Sequence, residues 1–84
     1  MREVTLYGRA GCHLCDDART VLVALREELP FHLLERDITE EEALHRAYFE
    51  RIPVIALDGR ELCDYFVDED LLRRELIAAG GARR

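Results

Sequence analysis

Val4-Thr5-Leu6-Tyr7-Gly8-Arg9-Ala10-Gly11-Cys12-His13-Leu14-Cys15 is the stretch that decides the fold. Its first four residues are β-branched, apolar or aromatic and read as a buried strand. Gly8 to Gly11 make a short turn. From Leu14 onward, Ala18, Val21, Leu22, Leu25 and Leu29 fall three and four apart, which is one face of a helix. Cys12 therefore lands at the helix N-terminus, where unpaired backbone N–H groups and the helix dipole favour an anionic sulfur. The thiolate is the nucleophile of disulfide exchange, so this placement makes a reactive cysteine. Cys15 faces Cys12 across one turn and can close a disulfide with it. The leading reading is a redox dithiol.

A lone C-x-x-C is also half of a zinc site, with Cys63 and one of His13, His32 or His45 to complete it. Structural zinc is usually held by two closely spaced ligand pairs, and the chain has no second pair. Two inert buried cysteines fit less well, because a helix start beside a glycine turn is an accessible place.

The 84 residues make one domain, 1–84, with 49% hydrophobic and 36% charged residues and a net charge of −6. The acidic balance gives no electrostatic surface for nucleic acid, and Arg83-Arg84 is too short for a basic tail. No apolar run approaches membrane-spanning length. With no export signal read before the first strand and an odd count of three cysteines, the expectation is a cytoplasmic protein. A monomer is expected.

Leu29-Pro30 ends the first helix. Phe31 to Asp37 reads as a second strand. Thr39 and Glu42 read as a capping box for a short helix with Leu44, Ala47 and Tyr48 on its inner face. Pro53 to Leu57 is a third strand, and Asp58-Gly59 is a hairpin turn into a fourth strand from Arg60 to about Cys63. Asp68-Glu69-Asp70 opens a last helix carrying Leu72, Leu76 and Ala79 inward, and Gly80-Gly81 is expected to stop it. The fold class is α/β, in the order β-α-β-α-β-β-α. It implies a four-stranded mixed sheet with three helices.

Strand, C-x-x-C, helix and a proline opening the third strand together resemble the thioredoxin superfamily. More closely, the chain is similar to the small bacterial glutaredoxin-like proteins. The resemblance covers essentially the whole chain and rests on Leu6 to Cys15 and on Arg51-Ile52-Pro53-Val54-Ile55. It implies that Cys12 attacks and Cys15 resolves, that Pro53 is a cis-proline facing the dithiol, and that the Ile52 backbone pairs with a bound thiol peptide. Arg9 stands where glutaredoxins usually carry a lysine, a cation that favours the thiolate and meets a glutathione carboxylate.

Three departures bear on the substrate. His13-Leu14 replaces the usual Pro-Tyr between the cysteines; a protonated His13 would stabilise a thiolate, and an exposed histidine without a role is the alternative. The family's Gly-Gly pair that lets glutathione approach the start of the last helix is absent, and Cys63-Asp64-Tyr65 occupies that neighbourhood. Arg51 replaces a threonine. Asp68 and Asp70 are left as acceptors for the amino group of glutathione. Cys63 reads as a small apolar residue of the hairpin.

The expected activity is reduction of protein or glutathione mixed disulfides, with no metal and no bound organic cofactor. Glutathione would be a co-substrate, and glutathione or thioredoxin reductase the electron source. A thioredoxin-type reductase that does not use glutathione, a zinc or iron–sulfur module, and a non-catalytic interaction domain are the competing readings.

Overall fold

The computed structural model describes the backbone of residues 1–82 and side chains through residue 78. The elements run β1 (Glu3–Gly8), α1 (His13–Glu28), β2 (His32–Asp37), a 3-10 turn (Ile38–Glu40), α2 (Glu42–Tyr48), β3 (Val54–Leu57), β4 (Arg60–Asp64) and α3 (Glu69–Ala82). The four strands form one mixed sheet in the order β2-β1-β3-β4. β1 pairs parallel with β2 and antiparallel with β3, and β3 pairs antiparallel with β4. This is the expected α/β architecture.

Side-chain alternation divides the sheet between two layers. Val4 and Leu6 of β1 lie in register with Leu57 and Ile55 of β3. Those four pack with Ala18, Leu22 and Leu25 of α1 and Leu72 and Leu76 of α3 into the main core. Each fully buried leucine or isoleucine there contributes about 1.5–3 kcal/mol relative to exposure. On the opposite face Tyr7 packs against Tyr48 of α2, with ring centroids 4.7 Å apart and the rings tilted by 33°. All four residues of β3 are buried, since this strand is central and covered on both sides.

Asp58 and Gly59 both have positive φ, 51° and 87°, the pattern of a two-residue type I′ hairpin turn. The register then shifts between Ile55 and Ala56, whose partners are Cys63 and Glu61. The bulge leaves Leu62 unpaired. As a result the adjacent residues Leu62 and Cys63 both pack against the main core, which strict alternation would forbid.

Two helix boundaries differ from the sequence reading. Thr39 is not the cap of α2; it lies inside the 3-10 turn, where its N–H and hydroxyl both donate to Asp37 Oδ1 at 2.9 and 2.6 Å. An aspartate two residues upstream claims these donors first, the usual competition between an Asx turn and a cap. α2 starts at Glu42, capped by Glu41 without a side-chain hydrogen bond. Of its expected inner face, Leu44 and Tyr48 are half-buried and Ala47 is exposed. α3 continues through Gly80 and Gly81 to Ala82. Glycine weakens a helix by about 1 kcal/mol per residue relative to alanine but leaves helical φ/ψ accessible. The inward side chain expected of Ala79 lies outside the described side chains.

Candidate active site

The turn after β1 delivers Cys12 to the N-cap of α1, in extended conformation with φ −101° and ψ 113°. Its Sγ accepts the backbone N–H of Cys15 at 3.1 Å. One of the orphan amides of the helix start is thus aimed at sulfur, and a donor of this kind stabilises negative charge on its acceptor. Cys12 is half-buried, and Cys15 is 1% exposed.

That difference in burial separates the chemistry of the two thiols. Burial pushes the Cys15 thiol up to about 11, and its hydrogen bond to Cys12 adds to the effect while the Arg9 backbone amide opposes it. Burial also raises the Cys63 thiol. Cys15 and Cys63 therefore hold their protons at neutral pH. All three cysteines are free.

Cys15 sits in a small apolar cluster with Ile38 and Ile52, against which Cys12, Tyr7, Leu44 and Tyr48 pack. Gly8, the last residue of β1, is required by close approach. A Cβ on it would lie 2.8 Å from Cys15 Sγ and 3.2 Å from Cys15 Cβ. The Ile52–Pro53 bond is cis, as the sequence resemblance implied, and Pro53 is fully buried. Ile52 carries the cis-proline segment to the dithiol. No described backbone hydrogen bond uses the N–H or C=O of Ile52.

The other expected residues are placed less uniformly. His13 and Leu14 occupy the first turn of α1 in solvent, with Leu14 49% exposed. Arg9 is exposed and lines a groove of about 310 Å³ with Leu6, Asp16, Arg19, Glu35 and Asp37. Arg19 is paired there with Asp16 and Glu35, whereas no ion pair among the described residues involves Arg9. Asp68 is the cap of α3, its Oδ1 accepting the Leu71 N–H at 3.1 Å, and its backbone amide bears on the Cys63 sulfur. No described contact joins Asp68 to the dithiol.

Cys63 packs on the main core rather than the dithiol cluster, and His32 and His45 are exposed, His45 stacked on Phe49 at 5.3 Å. Among the described residues no group of three or more His, Cys, Asp or Glu side chains is placed to hold a metal ion. No helix there is long and apolar enough to cross a membrane.

Sequence reasoning missed the polar belt beside Ile52. Arg51 is bonded to Glu61 and, at 3.1 Å, to Asp64, and its guanidinium lies 5.6 Å from the centre of the Tyr48 ring. Tyr65 donates its N–H to Pro53 O at 2.8 Å and its hydroxyl to Glu50 O at 2.6 Å. These partners are 10 to 15 residues apart, and nothing in the local pattern announces them. Only the departure of Arg51 from the family pattern pointed to the place.

Comparison with known proteins agrees with this fold. The chain is 38% identical to the protein Ne2328 from Nitrosomonas europaea, whose solution structure superposes with a TM-score of 0.81 over 89% of this chain and 91% of that one. The X-ray structure of the protein XcR50 from X. campestris gives 39% identity and a TM-score of 0.72 over 89% and 96%. An uncharacterized protein of Mycobacterium tuberculosis, Rv0508, is 35% identical over 79 residues, 88% of this chain and 81% of that protein. A mutant thioredoxin from Halobacterium salinarum shares the fold, with 24% identity and a TM-score of 0.66 over 92% and 73%. The fold and the family support a redox-type function. The family model of the glutaredoxin-like domain (DUF836) matches residues 3–77, and the chain belongs to that family.

Proposed function

We propose that the protein is a thiol–disulfide oxidoreductase that reduces protein or glutathione mixed disulfides through Cys12 and Cys15. The observation that carries this reading is the asymmetry of the dithiol. One sulfur is half-exposed and faces a helix-start amide; the other is buried and held as a thiol, near 11.

The Cys12 thiolate attacks one sulfur of a substrate disulfide, breaking the S–S bond and releasing the other half as a thiolate that takes up a proton. Cys12 is then joined to the substrate by a mixed disulfide. Cys15 gives up its proton as its sulfur attacks Cys12 Sγ, and the remaining substrate half leaves as a thiol. The substrate gains two electrons and two protons, and Cys12–Cys15 is oxidised. Glutathione or thioredoxin reductase returns the pair to the dithiol. No metal or bound organic cofactor takes part.

Arg9 meets a substrate carboxylate, His13 and Leu14 border the attacking sulfur, and the free backbone of Ile52 beside Pro53 pairs with an extended thiol peptide. Asp68 is assigned a smaller part, since its carboxylate already caps α3. The reductase acts as a monomer in the cytoplasm on small or protein disulfides.

Cys15→Ser tests the division of labour. That variant is expected to accumulate a mixed disulfide through Cys12, seen by mass spectrometry, while Cys12→Ser accumulates none. Equal trapping by both variants overturns the mechanism. A coupled assay comparing glutathione with thioredoxin reductase identifies the electron source.

A further inference from the structure

Tyr65 is an aromatic residue at φ 68°, a left-handed conformation that L side chains seldom adopt and bulky ones least. Glycine would take this conformation freely. The tyrosine is not there for burial, because it is 50% exposed. Strained positions of this kind persist where the surroundings over-determine them, and they gather at functional sites.

What the conformation achieves is visible in its hydrogen bonds. Just after β4 the backbone N–H of Tyr65 turns back to Pro53 O at 2.8 Å, with a longer contact to Arg51 O at 3.3 Å. Its hydroxyl donates to Glu50 O at 2.6 Å. One residue thus grips three carbonyls of the 50–53 segment. The same segment is fastened to β4 a second time by the Arg51 side chain, bonded to Glu61 and Asp64.

Between these fastenings Ile52 is buried against the cluster that holds Cys15 and Cys12, with its own N–H and C=O left unused by the described hydrogen bonds. A length of backbone with free groups, fixed beside a nucleophilic sulfur, is an edge on which an extended chain can pair. Holding such an edge still before the substrate arrives lowers the ordering cost of binding.

We propose that Tyr65 is a positioning residue, which braces the 50–53 segment as a preformed docking edge for the extended peptide around the substrate disulfide. This inference rests on the oxidoreductase reading above. It assigns substrate recognition to a residue whose described hydrogen bonds all go to the 50–53 segment.

Tyr65→Phe removes the hydroxyl bond to Glu50 and keeps the ring; Tyr65→Gly removes the side chain and accepts the backbone angle. With a disulfide-bonded peptide as substrate, Tyr65→Phe is expected to raise KM about three- to tenfold, the loss typical of one hydrogen bond. Its kcat and the alkylation rate of Cys12 should change less than about twofold. Tyr65→Gly should raise KM at least as much, whatever it does to the melting temperature. Amide exchange at Tyr65 N–H should quicken in Tyr65→Phe. A lowered melting temperature with unchanged KM in both variants makes Tyr65 merely structural and overturns the inference alone. A wild-type protein that reduces no disulfide overturns the oxidoreductase reading and this inference with it.

Discussion

Adding one methyl group to Gly8 tests how closely β1 is fitted to the dithiol. A Cβ there would lie 2.8 Å from Cys15 Sγ and 3.2 Å from Cys15 Cβ. Nonbonded carbon contacts are comfortable at about 3.5–4.0 Å, so the overlap with the sulfur is about 1 Å. Cys15 has little room to retreat, since it is 1% exposed and packed with Ile38 and Ile52. Overpacking of this kind costs roughly 1–3 kcal/mol, and we expect Gly8→Ala to lose about 2 kcal/mol in urea denaturation of the reduced protein. In a domain of this size that corresponds to a melting temperature lower by about 10 °C. Repeating the substitution in a Cys15→Ala background removes the sulfur and leaves only the 3.2 Å contact with Cβ. The penalty should then fall to less than half, a coupling of about 1 kcal/mol in the double-mutant cycle. A Gly8→Ala protein within about 0.5 kcal/mol of wild type, or an equal penalty in both backgrounds, would refute the reasoning.

Limited iodoacetamide treatment at neutral pH, followed by mass mapping, should label Cys12 first, because Cys15 and Cys63 are pushed up by burial and Cys15 is also inaccessible. Labelling of Cys63 or Cys15 ahead of Cys12 would contradict the assignment of roles. Asp58 ties the hairpin to the start of β1 through the Glu3 N–H at 2.9 Å and the Arg2 guanidinium, which hold its carboxyl below the usual range. Its folded-state value is lowered, so the contribution is complete above the unfolded value of about 3.9 and is lost as pH falls through the folded one. The pair is partly exposed, so Asp58→Asn should cost about 1 kcal/mol at pH 7 and progressively less below pH 4 in denaturant titrations. An equal loss at pH 7 and pH 2.5 would show that the charge is not what matters.

Local patterns in the sequence determined the elements whose causes are local. The β1–turn–α1 unit follows from a strand-forming run, a glycine turn and helical spacing, and it sets Cys12 on a helix start. Asp58-Gly59 specified its own turn, because few residue pairs accept two positive φ values in succession. The α/β order and the mixed sheet followed from those elements. Boundaries failed where two local devices competed for the same amides, as Asp37 and Thr39 do before α2. They also failed where a weak signal was read as decisive, as with the glycines inside α3.

Tertiary structure alone decided how the two cysteines differ in burial. In sequence one opens the helix and the other follows a turn later, and nothing in that spacing says which is buried. Packing against Ile38 and Ile52 buries one sulfur, while the helix start leaves the other half-exposed with an amide aimed at it. The need for Gly8 is likewise a matter of close approach between β1 and α1, and the bulge at Leu62 depends on pairing across the sheet. Tyr65 reaches Glu50 across 15 residues, a contact that no periodicity encodes. Short-range steric and hydrogen-bond preferences are written residue by residue, whereas desolvation and long-range contacts exist only once the chain has closed on itself.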